Sequence, residues 1–300
     1  MTTLADLINE TKDYLYSNTA VEANRVAQPM GSGDTSMTLA YPVGSLSRSG
    51  AICSIDLELI RVWASNGSTA TVIERGINGS VPAAHSLNAY VEVMPRFPAY
   101  NIARAINEDL DDLASPWNGL YSVQDIEITY NPAVSGYDMV GTTPGNVLAI
   151  QEIRYKVPGP TKHLPPIRSF DIARNVPTAD YPSGMALLLK ESAYAGFPMH
   201  VRYRSRFNHL VNLTDDLQTV ALLPAEANGL PALGAACSLM AGREIKRNWT
   251  ESTPDPLQLE LVTGGQVLNS YKGLLMLRQQ RIQVVAAGLL RQYGSPMRVI

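Results

Sequence analysis

Between Asp34 and Phe97 the hydrophobic period is two, and it is two again between Leu120 and Leu210, with a single helical pattern separating the stretches. Few folds accommodate that rhythm. In the first stretch "TSMTLAY", "GAICSID", "LELIRVWAS", "STATVIER" and "AYVEVM" read as short strands bounded by Gly, Ser, Asn and Pro. "SNGS" at 65–68 predicts a hairpin, because Asn66-Gly67 supplies the positive φ values of a type I′ turn. Five strands in so short a span predict a small β-barrel-like domain. In the second stretch "YSVQDIEITY", "NVLAIQEIRYKV", "IRSFDIARNV", "GMALLLKES" and "MHVRYRSRF" alternate with Pro/Gly turns, which predicts an antiparallel β-sandwich.

Helical periodicity frames these stretches. "TTLADLINETKDYLY" sets Leu4, Leu7, Ile8 and Leu15 near one face, with Thr2 or Thr3 as cap. "PAYNIARAINEDLDDLA" runs Ile102, Ala105, Ile106, Asp109-Leu110 and Leu113 in another, mainly apolar series, opened by Pro98 and closed by Pro116. Its outer face is expected to carry Glu108, Asp109, Asp111 and Asp112 into solvent. Two further helices are expected in 222–248 and 264–293. The domain expectation is therefore 1–30 for an N-terminal helix, 31–97 for a small β-domain, 98–118 for a connecting helix, 119–214 for a β-sandwich, and 215–300 for a helical segment with a C-terminal docking tail. The class is α+β.

Charge separates the chain ends. Residues 1–24 carry Asp6, Glu10, Asp13 and Glu22 against Lys12, whereas 261–300 carry Lys272, Arg278, Arg281, Arg291 and Arg298 without one Asp or Glu. Such a chain is suited to pairing head to tail with copies of itself, or to offering its basic end to an acidic partner. The net charge of −3 argues against bare nucleic acid as the main ligand. Arg202, Arg204 and Arg206 alternate and so share one strand face, which suits either a polyanion or an interface face paired with carboxylates; the second is expected.

No chemical motif stands out. "GSGDTS" at 31–36 lacks the Lys of a phosphate loop, and GxGxxG, HExxH, GxSxG and CxxC are all missing. Cys53 and Cys237 are expected as buried free thiols, without a metal site, and no cofactor or catalytic residue is assigned. No run reaches the ~20 apolar residues of a membrane span, so no membrane partner is expected.

"ERGINGSVPAAHS" at 74–86 gathers Arg, Gly and His in one loop between strands. Gly76 and Gly79 loosen the backbone, Pro82 stiffens it, and His85 is expected to bond loop carbonyls. The pattern "IDLELIRVW…ATVIERGINGSVPAAHSLNAYVEVMPRFP…IARAINEDLDDL" resembles a β-unit of tailed-phage structural proteins, where a strand ending in E-R-G precedes a small-residue loop, a His and a strand leading to a helix. "LPALGAACSLMAGREIKR" resembles the helix that closes phage connector proteins. The two matches cover 50–115 and 222–248.

Head-to-tail adaptors are similar in joining helices to inserted β-domains. The resemblance implies a helical adaptor-like core and a non-enzymatic virion protein at the neck, made in the host cytoplasm. It implies a homo-oligomeric ring, expected as a dodecamer, with portal protein and tail or nozzle proteins as partners and transient contact with packaged DNA left open. The portal or subunit contacts it implies are Lys272, Arg278, Arg281, Arg291 and Arg298, with removal of 288–300 expected to leave the β-domains folded. The alternative is a baseplate or tail-associated protein whose Trp63, Trp117 and Trp249 stack on carbohydrate.

Overall fold

The computed structural model describes residues 1–16, 22–47, 49–134, 136–139, 146–160, 163–250, 266–294 and 298–299. The chain divides into two compact, interrupted units. Unit 1 comprises Met1–Leu110, His209–Ala221 and Ala227–Arg281; unit 2 comprises Asp111–Asn208, Leu222–Glu226 and Ile282–Ile300. Two helices, α2 (Ala99–Leu113) and α4 (Gln266–Tyr293), contribute residues to both.

Unit 1 is built on six strands: β1 (Ala23–Arg25), β2 (Met37–Thr38), β3 (Ala51–Ile55), β4 (Glu58–Asn66), β5 (Thr69–Glu74) and β6 (Tyr90–Val93). They form one antiparallel sheet in the order β1-β6-β3-β4-β5-β2. The sheet curls into a half-barrel. Its edge strands are tied by a single bridge, Val26 to Leu39, with Ala27 N–H donating to Thr38 C=O at 2.8 Å and Ala40 N–H to Arg25 C=O at 2.9 Å. The bridge pairs the adjoining ends of β1 and β2, which would otherwise be open edges of the sheet. Leu39, Cys53, Ile55, Ile60, Val62 and Val91 fill the interior. The hairpin turn falls one residue later than the Asn-Gly signal suggests: Asn66 pairs with Thr69, and Gly67 takes the positive φ of 59°. Positive φ at the first central position without positive φ at the second, Ser68, is the type II′ solution.

The helix α1 (Leu4–Tyr16) starts on a reciprocal cap, with Asp6 N–H donating to Thr3 Oγ1 at 3.2 Å and Thr3 N–H to Asp6 Oδ2 at 2.9 Å. Leu4, Leu7, Ile8 and Thr11 are buried on its contact with α3 (Leu230–Thr250), whose Ala232, Ala235 and Ala236 are small enough to admit a close approach.

Unit 2 places two sheets over one core. β7 (Ser122–Thr129), β9 (Val147–Tyr155), β10 (Pro166–Ile167) and β13 (Pro198–Ser205) run in the order β10-β9-β13-β7, with β14 (Arg298–Val299) also on β9. β8 (Gly136–Asp138), β11 (Phe170–Arg174) and β12 (Met185–Leu189) make the second sheet in the order β11-β12-β8. Ile150, Ile153, Met199 and Val201 from the first sheet share a cluster with Tyr137, Phe170, Met185 and Leu187 from the second.

The helical adaptor-like core implied by resemblance is corrected by this architecture. Among the described residues, fourteen strands paired antiparallel form three sheets beside four α-helices, a mixed architecture and not a helical core. Helices do form at 222–248 and 264–293, as α3 and α4, while each unit also holds a buried cluster drawn from its strands and their adjoining loops. No helix among the described residues is long and apolar enough to cross a membrane.

Candidate binding surface

The E-R-G loop folds around a buried polar knot. Glu58, 1% exposed at the start of β4, accepts both prongs of Arg75, Nε to Oε1 at 2.6 Å and Nη2 to Oε2 at 2.7 Å. Arg75 also donates to the carbonyls of Gly31 at 2.7 Å and Ala83 at 2.5 Å. Glu58 further accepts the Gly76 and Ala83 backbone N–H groups at 3.2 and 3.0 Å. His85 is set between two carboxylates: Nδ1 lies 2.8 Å from Asp56 Oδ2 and Nε2 lies 2.8 Å from Glu58 Oε2. Its ring therefore meets Asp56 and Glu58, which corrects the expectation of loop carbonyls. Gly76 has φ 64°, and a Cβ there would sit 2.7 Å from Pro82 Cδ, so the turn needs glycine on both counts.

Two forces act on each titrating member. Burial opposes charging of His85, yet its bonds to Asp56 and Glu58 outweigh it and hold the imidazolium on to higher pH than usual. Burial likewise opposes ionisation of Glu58, but Arg75, the Ala83 N–H and His85 hold its carboxyl below the ordinary range. The buried Glu58, Arg75 and His85 bond one another and the loop backbone, so the knot's chemistry is that of a clasp between β4 and the loop.

In unit 2 the arginine strand proves to be two structures. Arg202 reaches Asp125 on β7, Nε to Oδ1 at 2.9 Å, and Glu152 on β9, Nη1 to Oε1 at 2.9 Å, so it is paired with carboxylates of its own sheet. Arg204 turns to the C-terminal end of α4. Its Nη2 donates to Gly294 C=O at 2.5 Å and its Nε to Gln151 Oε1 at 2.8 Å, while Gln151 Nε2 donates to Tyr293 C=O. The last carbonyls of a helix lack partners within it, and a guanidinium there also opposes the negative end of the dipole. The guanidinium stacks 4.0 Å above the Tyr121 ring. Arg206 lies just past β13, with its Nε buried.

Beside this cap an open pocket of about 470 Å³ is lined by Glu152, Arg154, Arg168, Arg202, Gln292 and Tyr293 among others. A second, of about 280 Å³, shares Glu152, Arg154 and Arg202. Arg154 Nε is held by Glu152 Oε2 at 2.8 Å, whereas Arg168 is exposed on the rim. Of the three guanidinium groups that line the larger pocket, Arg154 is paired with Glu152 and Arg202 with Glu152 and Asp125, which leaves Arg168 as the exposed cation at its edge.

The cationic helix residues fall into different settings. Lys272, Arg281 and Arg291 are exposed on α4. Arg278 is 6% exposed and donates Nη2 to Asp109 Oδ1 at 2.6 Å, so neither it nor Asp109 faces solvent as the sequence reading expects. Arg298 sits in β14 opposite Ile150, with its side chain outside the described residues, as is that of Trp249. Trp63 carries the Arg61 guanidinium 5.4 Å from its ring centre, and Trp117 is 88% exposed. Cys53 is buried, and burial pushes its thiol up to about 12.

Sequence reasoning missed Arg154 and Arg168 as pocket residues. "QEIRY" shows Glu152 and Arg154 on one face of β9, but which strand they meet depends on a pairing register that this alternation leaves open. Comparison with known proteins adds no relative: no family model matches the chain, and neither does a curated protein.

Proposed function

We propose that the chain is a virion structural protein: a head-to-tail adaptor that forms a ring between portal and tail by pairing with copies of itself. The observation that carries the reading is α4. This 28-residue helix holds no acidic residue, and it exposes Met276 (65%) and Leu277 (40%) in unit 1 and Val284 (72%) and Leu290 (52%) in unit 2. Lys272, Arg281 and Arg291 are exposed on the same helix. Its buried side is satisfied by Arg278, Ile282, Val285 and Leu289, so the outer apolar residues are surplus to the chain's own core. Apolar area mixed with cations marks a surface for a protein partner of acidic character.

In this reading α4 meets the portal, and the resemblance of the E-R-G unit to tailed-phage structural proteins supplies the context. The test is docking of the full chain to portal-bearing heads, read by co-sedimentation. Wild type is expected to sediment with the heads and K272E/R281E/R291E to remain in the supernatant. Equal retention of both, or saturable glycan binding in place of head binding, contradicts the proposal.

A further inference from the structure

At the far end of β13 the charge balance of unit 2 changes. Arg202 is neutralised by Asp125 and Glu152. Arg204 donates instead to neutral acceptors, the Gly294 carbonyl and the Gln151 amide oxygen, and burial holds its pKa below the usual value. Arg206, two residues further on, is half-buried, and its Nε is shut off from solvent. Among the described residues that Nε has no acceptor, and the guanidinium has no carboxylate.

Tyr121 supplies a second donor of the same kind. Its ring lies 4.0 Å beneath the Arg204 guanidinium, which sets it on the same face of the sheet. It is 5% exposed, and its buried hydroxyl has no partner among the described residues. Ser205 and Ser122 form the last rung of the β13–β7 ladder, and Arg206 and Tyr121 directly adjoin that rung on the two chains. Side chains opposite one another on neighbouring strands stand about 5 Å apart. Two buried donors, one of them on a cation, are thus brought together without an acceptor from the described residues.

A buried donor without an acceptor is costly, and a half-buried cation without a counter-ion adds to that cost. An oxyanion answers both needs: its oxygens accept from Nε–H and Oη–H, and its charge neutralises the guanidinium. The planar fork of arginine also matches the spacing of phosphate oxygens. We propose that Arg206 and Tyr121 hold a phosphate-type oxyanion at the end of the β13–β7 ladder, beside the charge of Arg204. The site is separate from the arginine pocket, whose lining includes neither residue, and from the exposed residues of α4.

Calorimetric titration of the full chain with inorganic phosphate tests this. Wild type is expected to bind one phosphate per chain and to melt at a higher temperature when phosphate is present. Y121F keeps the ring under Arg204 and loses only the hydroxyl, so it is expected to bind about tenfold more weakly. R206A is expected not to bind; should it fail to fold, Y121F carries the test. Without phosphate both variants should melt no lower than wild type, because the groups they delete have no partner. R168A, in the arginine pocket, should bind as wild type does. Displacement of the phosphate by a short oligonucleotide supports the site with a phosphodiester as its source, and no displacement supports it with free phosphate. A wild type that binds no phosphate overturns the proposal, as does binding that Y121F and R206A retain in full or that R168A abolishes. Variants destabilised without phosphate, beside a wild type that phosphate does not stabilise, mark the two donors as hydrated and overturn it as well.

Discussion

Arg204 donates to the carbonyl of Gly294 at 2.5 Å, so the middle arginine of an alternating triplet caps a helix instead of facing a polyanion. Replacing it with Ala leaves the Gly294 carbonyl and the Gln151 amide oxygen without their donor. Loss of hydrogen bonds from a charged, half-buried donor costs about 1–3 kcal/mol. R204A is expected to lower the urea midpoint of unit 2 while R168A, on the rim, leaves it unchanged.

Truncation before residue 288 is expected to do more. It removes the buried Leu289, the Tyr293 and Gly294 carbonyls, and β14 on the open side of β9. The expectation that the β-domains stay folded without 288–300 therefore gives way. Proteolysis of the truncated chain should begin in the sandwich, whereas the intact chain should resist.

The Arg278–Asp109 pair, at 2.6 Å and nearly excluded from solvent, makes a sharper test of unit 1. Removing one partner strands a buried charge, and R278A is expected to cost about 3–5 kcal/mol. The double variant D109L/R278M is expected to recover most of that loss, measured by chemical denaturation. Gly234 of α3 should tolerate no side chain, because a Cβ there would collide with the Asp109 carboxylate.

The knot in the E-R-G loop predicts a pH profile with two arms. His85 is raised in the folded state, so its contribution is complete below the ordinary His value of about 6.5 and is lost as pH climbs through the folded value. Glu58 is lowered, so its contribution is complete above the ordinary carboxyl range and is lost as pH falls through the folded value. Melting temperature of unit 1 is expected to decline on both sides. H85Q should flatten the alkaline arm and lower the whole curve; an unchanged alkaline arm would contradict the assignment.

Much of the fold was legible because alternation and turn residues are local. The strands of 51–93 and the buried face of α2, with Ile102, Ala105, Ile106, Leu110 and Leu113, follow directly from periodicity. Asp109 broke the pattern, since a carboxylate within an acidic run looks solvated until Arg278 arrives from 169 residues away. His85 failed for the same reason: Asp56 and Glu58 lie 29 and 27 residues upstream, and it takes the β4–β5 and β3–β6 pairings to carry the loop over the β3–β4 turn that holds them. The pocket needed the β9–β13 register, whose shifts at Arg202/Tyr203 and Arg204/Ser205 separate the roles of neighbouring arginines. The helical core failed because helical stripes say that a helix exists, not that helices dominate the packing.

The most direct test of the adaptor reading is electron microscopy of particles carrying a labelled chain. The account predicts a closed ring at the neck, twelvefold, between portal and tail. A distal position with threefold or sixfold symmetry, or no label on the particle, would contradict it.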